Sequence, residues 1–307
     1  MSSLKKSIRS RRAILATCIL LFFILTSIPN AYSASQELPS TLSDLSDTKV
    51  AIFGGVGVLD SSKDALESMF LWANASVDIV YAFQILNGTL DSYDIVVFPG
   101  GSAVSYSQGL GTEGLDVIRE FVRNGGSYFG ICGGSLFATN AVLGLFNGSY
   151  SNSINGTGIF LTEMYVNQNS TGPDLSDEPE SYWTMYWGSS YFYGEMDNII
   201  PICSYSLNDR PGMIAFSSGA GTVFLSSPHP EYEEGDSRDG TIFSDYLNDP
   251  DTEWNLMLKV SRWLVDESTT TPLPSQNGLR ISPYVIAGTI AVIGLMSIVF
   301  LVKIRKT

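Results

Sequence analysis

Three short motifs in the 307-residue chain bring together the residue types of acyl-transfer chemistry. In Gly130-Ile131-Cys132-Gly133-Gly134 a cysteine stands between glycines, directly after a β-rich run and before a helical stretch at 135–139. Glycines on both sides permit the sharp turn that projects a nucleophile from a strand end. The unpaired N–H groups of the following helix favour a thiolate there. Ser227-Pro228-His229-Pro230-Glu231 holds the only histidine of the chain. A glutamate two residues after it, in a strand-end geometry, can fix the orientation of the imidazole. A base held in that way takes a thiol proton and later returns it to a leaving group. In Phe98-Pro99-Gly100-Gly101-Ser102 the paired glycines let backbone N–H groups approach a developing oxyanion. Taken singly, each motif also has an ordinary reading: a buried structural cysteine, an isolated histidine, a strand-to-helix turn.

The elements around the motifs give them a common place. Short apolar runs at 50–53, 77–80, 95–98 and 128–131 read as strands. Helical patterns at 62–73 and 112–124 lie between them, the second carrying Leu115, Ile118, Phe121 and Val122 on one face and stopping at Gly125-Gly126. Near-continuous apolar strands alternating with helices predict a mostly parallel sheet covered on both faces, a doubly wound, flavodoxin-like α/β fold. Residues 147–193, rich in Gly, Asn, Ser, Tyr and Trp, suit loops and antiparallel strands at the sheet edge. Further strands are expected at 199–205, 213–217 and 222–225, and a closing helix at 251–265. All three motifs then fall at C-terminal ends of strands, where open α/β sheets bind ligands.

The order strand-PGG, GICGG, HPE resembles the class I glutamine amidotransferase-like family, in which a Cys-His-Glu triad sits on a parallel sheet. More narrowly, GICGGSLFA (130–138) with YWGSSYF (186–192) is similar to the amidotransferase-like domain named after the N-terminal part of some biotin-protein ligases, over roughly 48–266. The resemblance implies Cys132 as nucleophile, His229 as base, Glu231 as orienting acid and backbone N–H groups near Gly101 and Gly133 as the oxyanion hole, with no cofactor. Gly133-Gly134-Ser135-Leu136 stand where glutamine amidotransferases commonly carry a longer side chain and a His-Gln pair after the nucleophile. Neither an ammonia-accepting synthetase domain nor an ATP- or biotin-binding module fits beside the α/β domain. The implied activity is therefore hydrolysis or acyl transfer on a small-molecule or peptide amide. A catalytically inactive ectodomain, kept as a ligand-binding or protein-interaction module, is the alternative.

Charge is distributed unevenly. The whole chain carries 17 basic and 31 acidic residues, but residues 34–283 hold nine cations and all 31 acids, a net of −22. Such a surface excludes nucleic acid as a partner. The remaining cations flank two apolar runs. Lys5, Lys6, Arg9, Arg11 and Arg12 precede the run 13–28, and a small-residue site follows near Ser33. That pattern reads as a secretory signal over 1–33, either cleaved or kept as an anchor. The run 284–302 has 19 apolar or small residues and ends in Lys303, Arg305 and Lys306. At 1.5 Å per residue it is about long enough to span a bilayer. The positive-inside rule then makes 303–307 a cytoplasmic tail and puts the acidic body outside the cell membrane. Polar segments at 34–47 and 268–283 read as linkers around an α/β domain at 48–267.

Several other features bear on the body. Sequons at Asn74, Asn87, Asn147, Asn155 and Asn169 suit a glycosylated exported surface. Apart from Cys18 in the signal, only Cys132 and Cys203 remain, too few for a disulfide framework but enough for one bridge, which would silence a nucleophile. The aromatic cluster around 182–193 suggests edge-strand core, or a substrate wall formed by Tyr186, Trp187 and Tyr191. The acidic stretch 231–240 lacks the spacing of a calcium loop and reads as a solvated loop, so no metal is expected.

Overall fold

The computed structural model describes residues 44–268 except 234, 236 and 250. The apolar runs form a nine-stranded sheet in the order β2-β1-β3-β4-β11-β10-β9-β6-β7. Its parallel part consists of β1 (Lys49–Phe53), β2 (Ser76–Val80), β3 (Ile95–Phe98), β4 (Ser127–Ile131) and β11 (Gly221–Ser226). The antiparallel part adds β10 (Pro211–Ser218), β9 (Ile200–Tyr205), β6 (Ile159–Val166) and β7 (Ser181–Trp187). A separate ribbon pairs β5 (Gly148–Tyr150) with β8 (Phe192–Gly194). The expected parallel sheet with an antiparallel edge is thus present.

Helices on both faces explain the unbroken apolar strands. Every residue of β3 and β4 is buried. On one face α1 (Asp60–Trp72) and α5 (Trp254–Glu267) meet through Trp72 and Trp254, whose rings lie 5.5 Å apart. On the same face Phe70 packs edge-on to Phe129, which also meets Phe224. On the other face α3 (Ala103–Arg123) and α4 (Gly133–Phe137) cover Phe98 and Tyr128, whose rings stack at 5.5 Å. Each large apolar side chain buried in this way contributes about 1.5–3 kcal/mol.

Two differences from the sequence reading have local causes. Helix α3 begins nine residues before the expected 112, because Ser102 caps it by accepting the Ser105 N–H at 3.3 Å. A break at Gly111, with φ 63°, separates those extra residues 103–110 from the amphipathic part, so periodicity was visible only after the break. The crossover between β2 and β3 consists of α2 (Ala82–Leu86) and a 3-10 turn (Thr89–Ser92), both too short to show a helical period. Among the described residues no helix is long and apolar enough to cross a membrane. The expected signal and span lie outside the described residues.

Candidate active site

Strand β4 delivers Cys132 into a turn with φ 48° and ψ −111°, a conformation that costs a non-glycine residue on the order of 1–3 kcal/mol. Surrounding bonds hold it there. The Cys132 N–H donates to Ser226 O at 2.7 Å, and the Cys132 carbonyl accepts from Leu136 N at 3.0 Å and Ser135 Oγ at 2.7 Å. The flanking glycines are required by close backbone contact. A Cβ on Gly133 would lie 2.0 Å from the Gly101 carbonyl oxygen, and one on Gly134 would lie 1.9 Å from that of Phe98. The nucleophile turn and the Pro99-Gly100-Gly101 turn therefore touch backbone to backbone.

His229 follows β11 and is fixed at both ends. Its N–H donates to Met185 O at 2.9 Å, an isolated antiparallel bridge that brings β7 back beside the strand end. Its Nδ1 lies 2.9 Å from Glu231 Oε1, and both side chains are fully buried. With Nδ1 on the carboxylate, Nε2 is the ring nitrogen left to serve Cys132; among the described residues it is buried without a hydrogen-bond partner, and the Cys132 charge acts on the imidazole. A residue the sequence reading missed completes the array: Ser62, in the first turn of α1, donates to Glu231 Oε1 at 2.7 Å and accepts the Gly100 N–H at 2.8 Å. Tyr106 Oη donates to the carbonyls of Pro99 and Gly100 at 3.0 and 2.9 Å, pinning the same turn. The available signal for Ser62 was positional, since the segment after β1 must also reach the C-terminal end of the sheet.

The electrostatics match a thiolate–imidazolium pair. Burial pushes the Cys132 thiol up. The charge of the facing His229 and the Gly133 N–H outweigh burial and the opposing Glu231, leaving the thiol below its ordinary value. Burial alone would lower His229. The Glu231 carboxylate and the Cys132 thiolate reverse this and raise the imidazole to about 10. Cys132 is half-buried, as a nucleophile that must meet a substrate requires. For the oxyanion, the Gly133 N–H already faces the sulfur. The bonds that tether the Gly101 turn run from Leu59 N to Gly100 O and from Ser102 N to Gly57 O, and leave the Gly101 N–H out.

The expected aromatic wall is only partly at this site. Trp187 lies with its ring centroid 6.0 Å from that of His229 and stacks on Phe243, while Tyr232 flanks the imidazole at 5.6 Å. Tyr186, the adjacent residue on β7, is engaged elsewhere. It is fully buried, stacks on Phe160 at 4.4 Å and donates to Gly156 O. Tyr191 packs near Tyr193 and under Arg210. Alternation along an edge strand assigns neighbouring aromatics to different roles.

Three acids of the stretch expected to be solvated are enclosed instead. Glu231, Glu233 and Asp239 are all buried. Glu233 pairs with Arg238 at 2.6 Å, and burial raises Asp239 to about 7 even though Thr241 and Glu233 donate their N–H groups to it. Among the described residues no group of three or more His, Cys, Asp or Glu side chains could hold a metal ion. Cys132 and Cys203 are both free thiols, so the bridge left open by the sequence is not formed. Asn74, Asn87, Asn147, Asn155 and Asn169 are all exposed.

Comparison with known proteins gives the same family resemblance. Residues 48–157 match the protein-family model described as "Biotin-protein ligase, N terminal". This segment holds the Pro99-Gly100-Gly101 turn and Cys132, whereas His229 and Glu231 lie beyond it. An uncharacterized protein of Chlamydia muridarum is 29% identical over 167 residues, 46% of this chain and 62% of that protein. Phosphoribosylformylglycinamidine synthase subunit PurQ of Methanococcus maripaludis is 32% identical over 108 residues, 32% of this chain and 39% of that protein. The chain therefore spans less than two thirds of these curated relatives. Among solved structures, a chain of PurLQS from Thermotoga maritima aligns with a TM-score of 0.51 at 18% identity, over 70% of this chain and 98% of that one. A ThuA-like protein from Bacteroides uniformis aligns with a TM-score of 0.51 at 14% identity, over 76% and 97%. The fold is shared with these solved structures, and the resemblance to the biotin-protein ligase N-terminal family holds over residues 48–157.

Proposed function

We propose that this α/β domain is a cysteine-dependent hydrolase or acyl transferase acting on an amide-type substrate through Cys132, His229 and Glu231. The carrying observation is the buried chain from Ser62 through Glu231 to His229, which ends on a strained, half-buried cysteine whose pKa the imidazole lowers. In the reaction the Cys132 thiolate adds to the substrate carbonyl, and the N–H groups of Gly101 and Gly133 hold the resulting oxyanion. As the C–N bond breaks, protonated His229 gives its Nε2 proton to the departing amine, leaving a thioester on Cys132. Neutral His229 then takes a proton from water or another acceptor, which attacks the thioester. Collapse expels Cys132 as a thiolate, with the proton back on the imidazole. Throughout, Glu231 keeps Nδ1 protonated and turned away from the substrate.

Site-resolved alkylation tests the reading. With iodoacetamide at pH 7, Cys132 should react at least tenfold faster than an unperturbed thiol, and His229→Ala should remove that advantage. A Cys132 that reacts at the ordinary thiol rate, or that is isolated as a disulfide, would exclude the enzyme.

In the same proposal the domain stands outside the cytoplasm on the single span 284–302. Support comes from the −22 charge of residues 34–283, the basic flank after the span and the exposure of all five sequon asparagines. Protease added to intact cells should then digest the body. A body protected until the cells are lysed would refute this orientation.

A further inference from the structure

We propose that Ser62 is a positioning residue that ties the oxyanion turn to the triad, so that Gly100-Gly101 and the His229–Glu231 pair are held in one register. The proposal rests on the catalytic reading above. It adds a residue that lies outside all three motifs, 169 positions from Glu231 in sequence.

The direction of the hydrogen bonds is forced by chemistry. A backbone N–H can only donate, so Ser62 Oγ must accept from Gly100 at 2.8 Å. Its single proton is then free for Glu231 Oε1 at 2.7 Å, the same oxygen that receives His229 Nδ1 at 2.9 Å. Ser62 is fully buried, so water does not replace either bond when it is lost. Its neighbour Ser61 has a different partner, Tyr232 Oη at 2.8 Å. Packing enforces the same alignment. A Cβ at position 100 would meet His229 Cε1 at 2.9 Å and Ser62 Oγ at 3.1 Å, so the turn, the hydroxyl and the imidazole are in mutual contact.

The other groups facing this site do not offer an equivalent charge. Tyr106 from α3, Tyr205 from β9 and Tyr232 after β11 all feel the Cys132 charge, and burial pushes each phenol up, so they stay neutral. Lys63, next to Ser62 on α1, is paired with Asp60 and Asp64 at 3.0 and 3.2 Å. Asp239 acts on Tyr232, not on the imidazole. Glu231 is left as the carboxylate that orients His229, and Ser62 is the side chain that orients Glu231.

The test is the pH profile of Cys132 alkylation by iodoacetamide in the full chain, read with thermal melting. A hydrogen bond to a charged group is among the stronger ones, so Ser62→Ala should slow alkylation at pH 6–7 about tenfold and move the profile up by about one pH unit. Ser62→Thr, which keeps the hydroxyl, should restore most of the rate. In a Glu231→Gln background the added Ser62→Ala change should cost less than twofold. A Ser62→Ala protein with the wild-type profile, whether or not its melting temperature falls, overturns the proposal. Hydrogen exchange at the Gly100 amide in Glu231→Gln gives a reading that leaves Ser62 in place: faster exchange supports the relay, and unchanged exchange counts against it. If wild-type Cys132 proves unreactive, the catalytic reading fails. The NMR titration of the sole histidine then still decides the role of Ser62: a displaced His229 titration in Ser62→Ala supports it, and an unchanged one counts against it.

Discussion

Cys132 and Cys203 are the two thiols of the α/β domain, and the protein treats them in opposite ways. Cys203 lies on β9 in the antiparallel part of the sheet, paired with Met213 of β10 and Val166 of β6, and is 1% exposed. Burial pushes its thiol far up, and the nearby Glu253 and Glu178 carboxylates push the same way. Cys132 is also closely surrounded, yet its thiol is lowered because His229 faces it and the Gly133 N–H points at it. Burial alone makes a cysteine inert. Burial beside a cation that is itself stabilised by a carboxylate makes a nucleophile.

The contrast is broken most strongly by removing the charge that sustains His229. Glu231→Gln leaves the imidazole buried without its carboxylate, so its pKa falls and the thiol rises toward the behaviour of Cys203. Alkylation of Cys132 at pH 7 should fall about 10- to 100-fold, with the profile shifted to higher pH. An unchanged profile in this variant would mean that the thiolate is stabilised by some group other than His229. The wild-type profile should rise below the ordinary thiol value and hold until the imidazole loses its proton near 10. The same shifts enter stability. His229, raised from 6.5, contributes fully below 6.5 and loses its contribution as pH rises through about 10. Cys132 is depressed from its ordinary 9.0, so its contribution is present above that value and lost as pH falls through the folded one.

The smallest effect is expected at the other thiol. Cys203→Ala should leave Cys132 alkylation unchanged and cost about 1 kcal/mol through the small cavity, a fall of about 2–4 °C in melting temperature. Slower Cys132 alkylation in this variant would show that the two thiols are coupled after all.

Much of the parallel half was legible because its inner strands β1, β3, β4 and β11 are covered on both faces and read as short apolar runs. Ile95-Val96-Val97-Phe98 is an example, with all four residues buried. The Cys132 turn was legible for a related reason: glycines at 133 and 134 are needed wherever backbone meets backbone at 1.9–2.0 Å from a would-be Cβ, and that requirement is written in residue types. The acidic stretch misled because composition does not reveal that Glu233 has Arg238 as a partner or that Asp239 is enclosed. The aromatic cluster left edge-strand core and substrate wall open because Tyr186 and Trp187 are adjacent in sequence but packed against different neighbours.

The sequence by itself determined the sheet-forming runs, the order of the three motifs and the separation of an acidic body from two basic-flanked apolar ends. These follow from local properties: apolar periodicity, glycine tolerance and formal charge. Only the tertiary structure decided that Ser62 joins Gly100 to Glu231, that β7 returns to bridge His229 through Met185, and that of two thiols one is activated and the other buried. Those outcomes depend on distances between residues far apart in the chain. Hydrogen bonding and charge act over a few ångströms, and folding alone brings such residues within that range.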